Sequence, residues 1–154
     1  MDGDWDYIII GAGSAGFSAA ITGAEAGATV ALIGHGTIGG TCVNVGCVPS
    51  KTLIRAAEAL HHGRTAARFA GIAGNARVVD WAATVAQKDA LVGDLRQAKY
   101  RDLLPAYPGI TYLEGPARLA EGGVRVNGDF LAAGKTIVAT GTSPAIPAIP
   151  GIEY

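Results

Sequence analysis

The chain is poor in sulfur and in charge. Its 154 residues include one methionine and two cysteines, and only 16% are charged. Twelve basic residues stand against 13 acidic ones, for a formal net charge of −1. So even a balance argues against nucleic acid or an acidic membrane surface as the partner. No apolar run approaches the ~20 residues that a bilayer-spanning helix needs. The opening MDGDWD is acidic, unlike the basic start of a secretory leader. Glycine, by contrast, is abundant, with 23 residues clustered at turns and forming no repeat. With 49% hydrophobic residues, the length suits one α/β domain with a sizeable core.

The two cysteines, Cys42 and Cys47, lie in GGTCVNVGCVPSK, residues 39 to 51. A zinc site normally takes four ligands, and no second cysteine pair exists to complete one. In a regular helix, residues five apart stand roughly 8 to 9 Å apart at Cα. A disulfide wants about 4.4 to 6.8 Å. Pairing therefore demands a break in the helix, and Gly46 supplies the place for one. The loop so closed is short, worth on the order of 2 kcal/mol in entropy. A dithiol that cycles between reduced and oxidised forms accounts for the pattern better than a structural staple. Such a pair, with no leader sequence, points to the cytoplasm.

DYIIIGAGSAG, residues 6 to 16, is a β-branched run followed by Gly11, Gly13 and Gly16. It predicts a strand, a tight turn and a helix whose free N–H groups face a pyrophosphate. FSAAITGAEAGA continues the helix, with Gly27 as C-cap, and residues 28 to 33 form a second strand. Alone the glycine pattern is weak; inside a β-α-β unit it has its confirming context.

On these residues the chain resembles the pyridine nucleotide–disulfide oxidoreductases, FAD enzymes with two dinucleotide-binding domains. The shared marks are the β-α-β unit, the GGTCxNxGCxPSK run, and TIVATG at 136 to 141 followed by Ser143-Pro144. Residues 36 to 58 and 94 to 104 resemble the mercuric reductase branch more than dihydrolipoamide dehydrogenase or glutathione reductase. The resemblance implies an α/β, Rossmann-like FAD-binding domain with a central parallel sheet and a smaller antiparallel β segment, incomplete relative to the family's full domain. It places that domain at residues 1 to 150. A connector toward an NADPH domain starts at 144 to 154, where Pro144, Pro147 and Pro150 favour an extended chain. The later FAD-completing segment, the NADPH domain, the dimer-forming domain and a C-terminal cysteine pair are not in these residues. The expectation is an N-terminal segment of the enzyme, inactive alone, with a homodimer for the complete protein.

Site roles follow from the same resemblance. Cys47 is the sulfur beside the flavin and Cys42 the exchange sulfur. Electrons pass from NADPH to flavin, to the cysteine pair, and to Hg(II), for which soft thiolates are suitable ligands. A helix N-terminus near the pair would lower a thiol pKa. Lys51 stands near the flavin. Gly11, Ala12, Gly13, Ser14, Ala15 and Gly16 face the pyrophosphate, and Gly40, Thr41, Gly46, Ala117, Thr140 and Gly141 match further FAD-contacting positions. Where the family has an acid for the adenosine ribose at the end of the second strand, this chain has Gly34. Glu25 belongs to the preceding helix, and His35 is a candidate ribose partner or a solvated loop residue. An acid placed at 34 is expected to tighten FAD binding. Two other readings stand beside this one: a reductase of a small disulfide such as lipoamide or glutathione, and a non-catalytic flavin- or thiol-binding remnant.

The rest reads coarsely. A helix runs from Pro49 to about His62, and 63 to 79 form an irregular connection. Asp80 caps a long helix over 81 to 104, with Trp81, Val85, Leu91, Val92, Leu95 and Leu103 as its apolar face. Strands follow at 109 to 115, at VRVNG and at KTIVAT. His61-His62 is a helix-end charge pair, Trp81 and Tyr100 are core or helix contacts, and Arg96, Lys99 and Arg101 form a solvated face.

Overall fold

A computed structural model describes residues 5 to 152. The first four residues of the acidic opening and the last two of the connector lie outside the described residues. The domain expected at residues 1 to 150 begins, and the connector expected at 144 to 154 ends, among those residues.

The first β-α-β unit forms as its sequence predicts. Strand β1 (Trp5–Ile10) leads into helix α1 (Ser14–Glu25), and strand β2 (Val30–Gly34) follows. Gly27, just past the helix end, has φ +83°, and its amide donates to Ala24 O at 2.9 Å, closing the helix with a left-handed residue. Gly16 is required by packing. A Cβ there would lie 1.7 Å from Gly11 O, so only glycine lets α1 approach the turn this closely.

One six-stranded sheet organises the molecule, in the order β3-β2-β1-β6-β5-β4. Strand β3 is Ile110–Glu114, β4 Ala117–Ala120, β5 Gly123–Val126 and β6 Asp129–Val138. Strands β3, β2, β1 and β6 run parallel, and β6, β5 and β4 antiparallel. β6 belongs to both parts. Its first residues, Asp129 to Ala132, pair with β5, and Ala133 to Val138 pair with β1. The expected KTIVAT strand is thus, as far as Val138, the end of a longer one that stops before Ala139 and Thr140, and β4 had no expected counterpart. Weak strand formers such as Ala132, Ala133 and Gly134 hide the part before Lys135; pairing with β5 up to Ala132 and with β1 from Ala133 decides it.

The apolar runs of β1 and β2 are continuous because both sheet faces are covered. On one face Ile9, Leu32, Val30, Phe17 and Ala20 pack under α1 with Ile38, Val43 and Tyr100. On the other, Ile8, Ala31 and Ile33 meet Val124, Val126 and Leu131.

The helical excursion between β2 and β3 differs from expectation in three places. Helix α2 (Gly40–Asn44) is followed by α3 (Cys47–Thr65), which starts before Pro49 and extends beyond His62. Asp80 caps α4 (Trp81–Arg96), its carboxylate accepting from Ala83 N at 3.0 Å. The long helix does not run on to 104. It widens into a π turn at Gln97–Arg101, and a 3-10 turn follows at Leu104–Ala106. The π turn carries Tyr100 into the core, where its ring meets Phe17 edge-on at 5.0 Å and its hydroxyl hydrogen-bonds Ser14 Oγ at 3.0 Å. Trp81 is not a core residue: it is 57% exposed, because the first turn of α4 projects past the core. Of the expected apolar face, Val92 is buried and Leu91 exposed. Among the described residues, no helix is long and apolar enough to cross a membrane.

Candidate functional site

A cleft of about 710 Å³ opens at the carboxyl ends of β1, β2 and β6, a volume suited to a bound cofactor. This is where open α/β sheets bind ligands, outside the strand ends. The glycine turn of residues 11 to 15 forms its floor, and the loop from Gly34 to Cys42 one wall. Tyr112, Gly115 to Ala117 and Ala139 to Thr142 form the other.

Backbone contacts join the two sequence signatures. Gly39 N donates to Ala12 O at 2.8 Å, and Gly13 and Gly39 form a parallel bridge. A Cβ on Gly40, at φ +68°, would fall 2.8 Å from Gly13 Cα. The glycine pair ahead of the cysteines thus lets the thiol segment lie directly on the phosphate-type turn. Helix α1 begins at that turn with Gly13 as N-cap, no side-chain cap and no acid in its first turn. Its leading N–H groups are therefore available to an anion.

The cysteines sit at two helix ends. Cys42 lies in α2, and Cys47 is the first residue of α3, with Val45 and Gly46 between the helices. This is the break that pairing demands. A Cβ on Gly46 would come within 3.0 Å of Thr41 O and 3.3 Å of Cys42 Cα. Both thiols are free and exposed. The Cys42 thiol is held above its ordinary pKa, first by its hydrogen bond with the Cys47 side chain, then by burial and the Cys47 charge. The Cys47 backbone N–H, and after it Lys99, oppose this. The lowering expected from a helix N-terminus is present at Cys42, through the Cys47 backbone N–H, but the neighbouring sulfur outweighs it.

Asn44 locks the same segment. Its amide nitrogen donates to Ile38 O at 3.0 Å and Gly40 O at 2.9 Å, and its oxygen accepts from Arg96 Nε at 2.7 Å. Arg96 is therefore part of the site's support. It does not belong to a solvated face with Lys99 and Arg101.

Most sequence-predicted site residues converge on the cleft. Gly11, Ala12, Gly13, Ser14, Ala15, Gly34, His35, Gly40, Thr41, Cys42, Ala117, Thr140 and Gly141 all line it. Gly16, Gly46, Cys47 and Lys51 do not. Gly16 acts behind the turn, and Lys51 is exposed on α3. Glu25 accepts from Tyr107 Oη at 3.4 Å, away from the cleft lining. The sequence reading missed Tyr112. Its hydroxyl is held above the ordinary phenol value by burial, with Glu114 adding to the effect and Arg101 opposing it. A Cβ built on Gly34 would lie 2.4 Å from Tyr112 Oη and 2.8 Å from Ala12 Cβ. An acid at 34 cannot simply be added to this packing. His61 and His62 have ring centroids 6.1 Å apart. Among the described residues, no group of three His, Cys, Asp or Glu could hold a metal ion.

The family model described as pyridine nucleotide-disulphide oxidoreductase matches residues 5 to 154. A mercuric reductase of Lysinibacillus sphaericus is 46% identical over 151 residues, covering 97% of this chain and 27% of that protein. One from Staphylococcus aureus is 45% identical over 153 residues, covering 99% and 28%. The chain thus spans between a quarter and a third of the length of these relatives. Among solved structures, the HOCl-induced flavoprotein disulfide reductase RclA from Escherichia coli superposes with a TM-score of 0.77 at 32% identity. It covers 97% of this chain and 31% of that one. A Cu(II) complex of the same protein gives 0.78 at 30% identity.

Proposed function

The chain belongs to the pyridine nucleotide-disulphide oxidoreductase family, and we propose that it forms the FAD-holding, dithiol-bearing part of a mercuric reductase. The observation that carries this reading is the junction of Gly39 and Gly40 with the Ala12–Gly13 turn. It puts Cys42 on the rim of a dinucleotide-type cleft, with Cys47 outside the lining at the start of α3. The residues suit FAD: a floor without side chains beyond methyl and hydroxyl, an open helix N-terminus and an ample volume. Residues 1 to 150 are the FAD-binding domain in this reading, with a connector from 144 onward.

When bound, the flavin supplies the electron relay between NADPH and the dithiol. The chain's own groups do the rest. The α1 N–H groups would bind pyrophosphate, and Thr41, Ala117, Thr140 and Gly141, which line the cleft, would hold the cofactor along its length. Lys51, exposed on α3 outside the cleft lining, is proposed to serve the flavin as a nearby ammonium. Cys47 is the first residue of the 19-residue helix α3, five residues after Cys42. Cys42 faces the cleft, where an exchange sulfur can meet substrate. Hg(II) replaces both thiol protons and is held by two soft sulfurs. Its reduction would take two electrons and a proton from NADPH, by way of the flavin, and a second proton from solvent: both Hg–S bonds break, Hg(0) leaves and the two thiols are restored. The complete enzyme would act as a homodimer.

The test is a pair of titrations on this chain. Added FAD should quench its fluorescence saturably, and Hg(II) should block both thiols from alkylation at one ion per chain. Cys42→Ser or Cys47→Ser should abolish the tight one-to-one block. No saturable quench, together with unblocked thiols, would overturn the assignment. Blocking with no flavin binding would favour the thiol-binding remnant. If the parent enzyme reduces lipoamide or glutathione disulfide but leaves Hg(II) untouched, the other disulfide-reductase reading replaces this one.

A further inference from the structure

We propose that Tyr112, two strands from the glycine turn, has taken over ribose recognition at the end of β2. Its phenolic hydroxyl, and no group of residue 34, hydrogen-bonds the adenosine ribose of the bound dinucleotide. The inference rests on the reading that the cleft holds FAD.

The argument begins with position. In dinucleotide-binding β-α-β units, an acid about 20 residues beyond the glycine turn reaches the ribose hydroxyls. Gly34 is the last residue of β2 and lines the cleft, so the ribose end of the site lacks a carboxylate from this strand. That space is filled. Tyr112 Oη comes within 2.4 Å of where a Cβ on residue 34 would begin. Glycine at 34 and tyrosine at 112 are therefore a matched pair, since any larger residue at 34 would expel the hydroxyl.

The register explains how the tyrosine gets there. β2 and β3 pair in parallel, with Leu32 opposite Tyr112 and Gly34 opposite Glu114. Gly115 N donates to Gly34 O at 2.8 Å, holding the strand ends together. Tyr112 is then one pleat back from the rim, on the side its long ring can lean across. The ring packs against the core under α1, which orients the hydroxyl at little further entropic cost. The side-chain hydrogen bonds of the described residues include none to that hydroxyl, and it borders the cleft. A phenol both donates and accepts, so one group can serve a ribose hydroxyl in either sense. A neutral partner also spares the site a buried carboxylate.

The experiment compares ADP with 2′,3′-dideoxy-ADP as competitors of FAD in flavin fluorescence titrations of the full chain. The unmodified chain should prefer ADP by about 3- to 10-fold, the worth of one ordinary hydrogen bond. Tyr112→Phe should erase that preference and weaken FAD by the same factor, with an unchanged melting temperature. Gly34→Glu alone should weaken FAD, and Gly34→Glu with Tyr112→Leu should recover it. A preference that survives in Tyr112→Phe, or that vanishes in His35→Gln instead, would overturn the inference while leaving the cofactor reading intact. Failure of the unmodified chain to bind FAD or ADP would remove both.

Discussion

Arg96 Nε donates to Asn44 Oδ1 across 2.7 Å, tying the end of α4 to the short helix that carries Cys42. The bond is partly buried and spans 52 residues. It completes the hydrogen bonding of an amide already committed to Ile38 O and Gly40 O. The cysteine segment is thus clamped from outside as well as laid on the glycine turn.

Removing the clamp should loosen the segment. Arg96→Ala is expected to cost about 1 to 3 kcal/mol, the range for a charged hydrogen bond whose partner stays partly buried. Urea unfolding measures it. Arg96→Lys should recover only part, because an ammonium cannot reproduce the Nε geometry. A loss below about 0.5 kcal/mol in Arg96→Ala would show that the bond contributes no more than an exposed pair.

The thiols should pair reversibly. Thiol counts on air-oxidised chain should rise by two after dithiothreitol; two free thiols in air would refute the redox role. In the reduced chain the raised Cys42 pKa delays ionisation beyond the ordinary thiol value of 9.0. A raised native pKa means that the native state binds more protons, so this contribution is complete below pH 9 and fades as pH climbs past it. Because Cys47 is the main cause, Cys47→Ser should speed alkylation of Cys42 at pH 8.5. An equal or slower rate would show that the other sulfur does not hold the proton.

Acid should act at the opposite end of the sheet. Asp6 accepts from Thr29 N at 2.8 Å and Thr29 Oγ1 at 2.9 Å, and these bonds hold its carboxyl below the usual carboxylate range. A depressed native pKa contributes stability above the unfolded value of 3.8 and loses it as pH falls through the native one. Asp6→Asn should flatten the acid limb of the stability curve. An identical limb in the variant would exclude Asp6 as its source.

Gly16→Ala should be damaging out of proportion to one methyl group. The added carbon would meet Gly11 O at 1.7 Å, forcing α1 off the strand at a cost of about 3 kcal/mol. Loss of FAD binding should accompany the lowered melting temperature. Gly93→Ala is the control: a Cβ there meets nothing within 4 Å, and replacing a mid-helix glycine should stabilise by about 1 kcal/mol.

Local rules made much of this molecule legible. Gly11, Gly13, Gly16 and the β-branched run before them name a strand-turn-helix, because few backbones accept that order of residues. Asp80 announces a helix start because its carboxylate can satisfy a free N–H. Cys42 and Cys47 require a break between them because helix geometry keeps residues five apart too far for a disulfide. In each case the reason lies within a few residues of chain.

Other features depended on neighbours distant in sequence. The first residues of β6 are a strand because β5 pairs with them, and no propensity of Ala132 says so. The π turn at 97 to 101 places Tyr100 against Phe17 and Ser14, more than 80 residues earlier. Arg96 reads as one of three surface charges until Asn44 is found beside it. Gly34 reads as a missing acid, yet its space is taken by Tyr112, 78 positions later in the chain. The chain by itself determined which segments turn, cap and carry sulfur, because those are short-range matters of sterics and hydrogen-bond supply. Only the tertiary structure decided which side chain fills each place at the cleft, because a close-packed site is shared among strands and helices that meet only after folding.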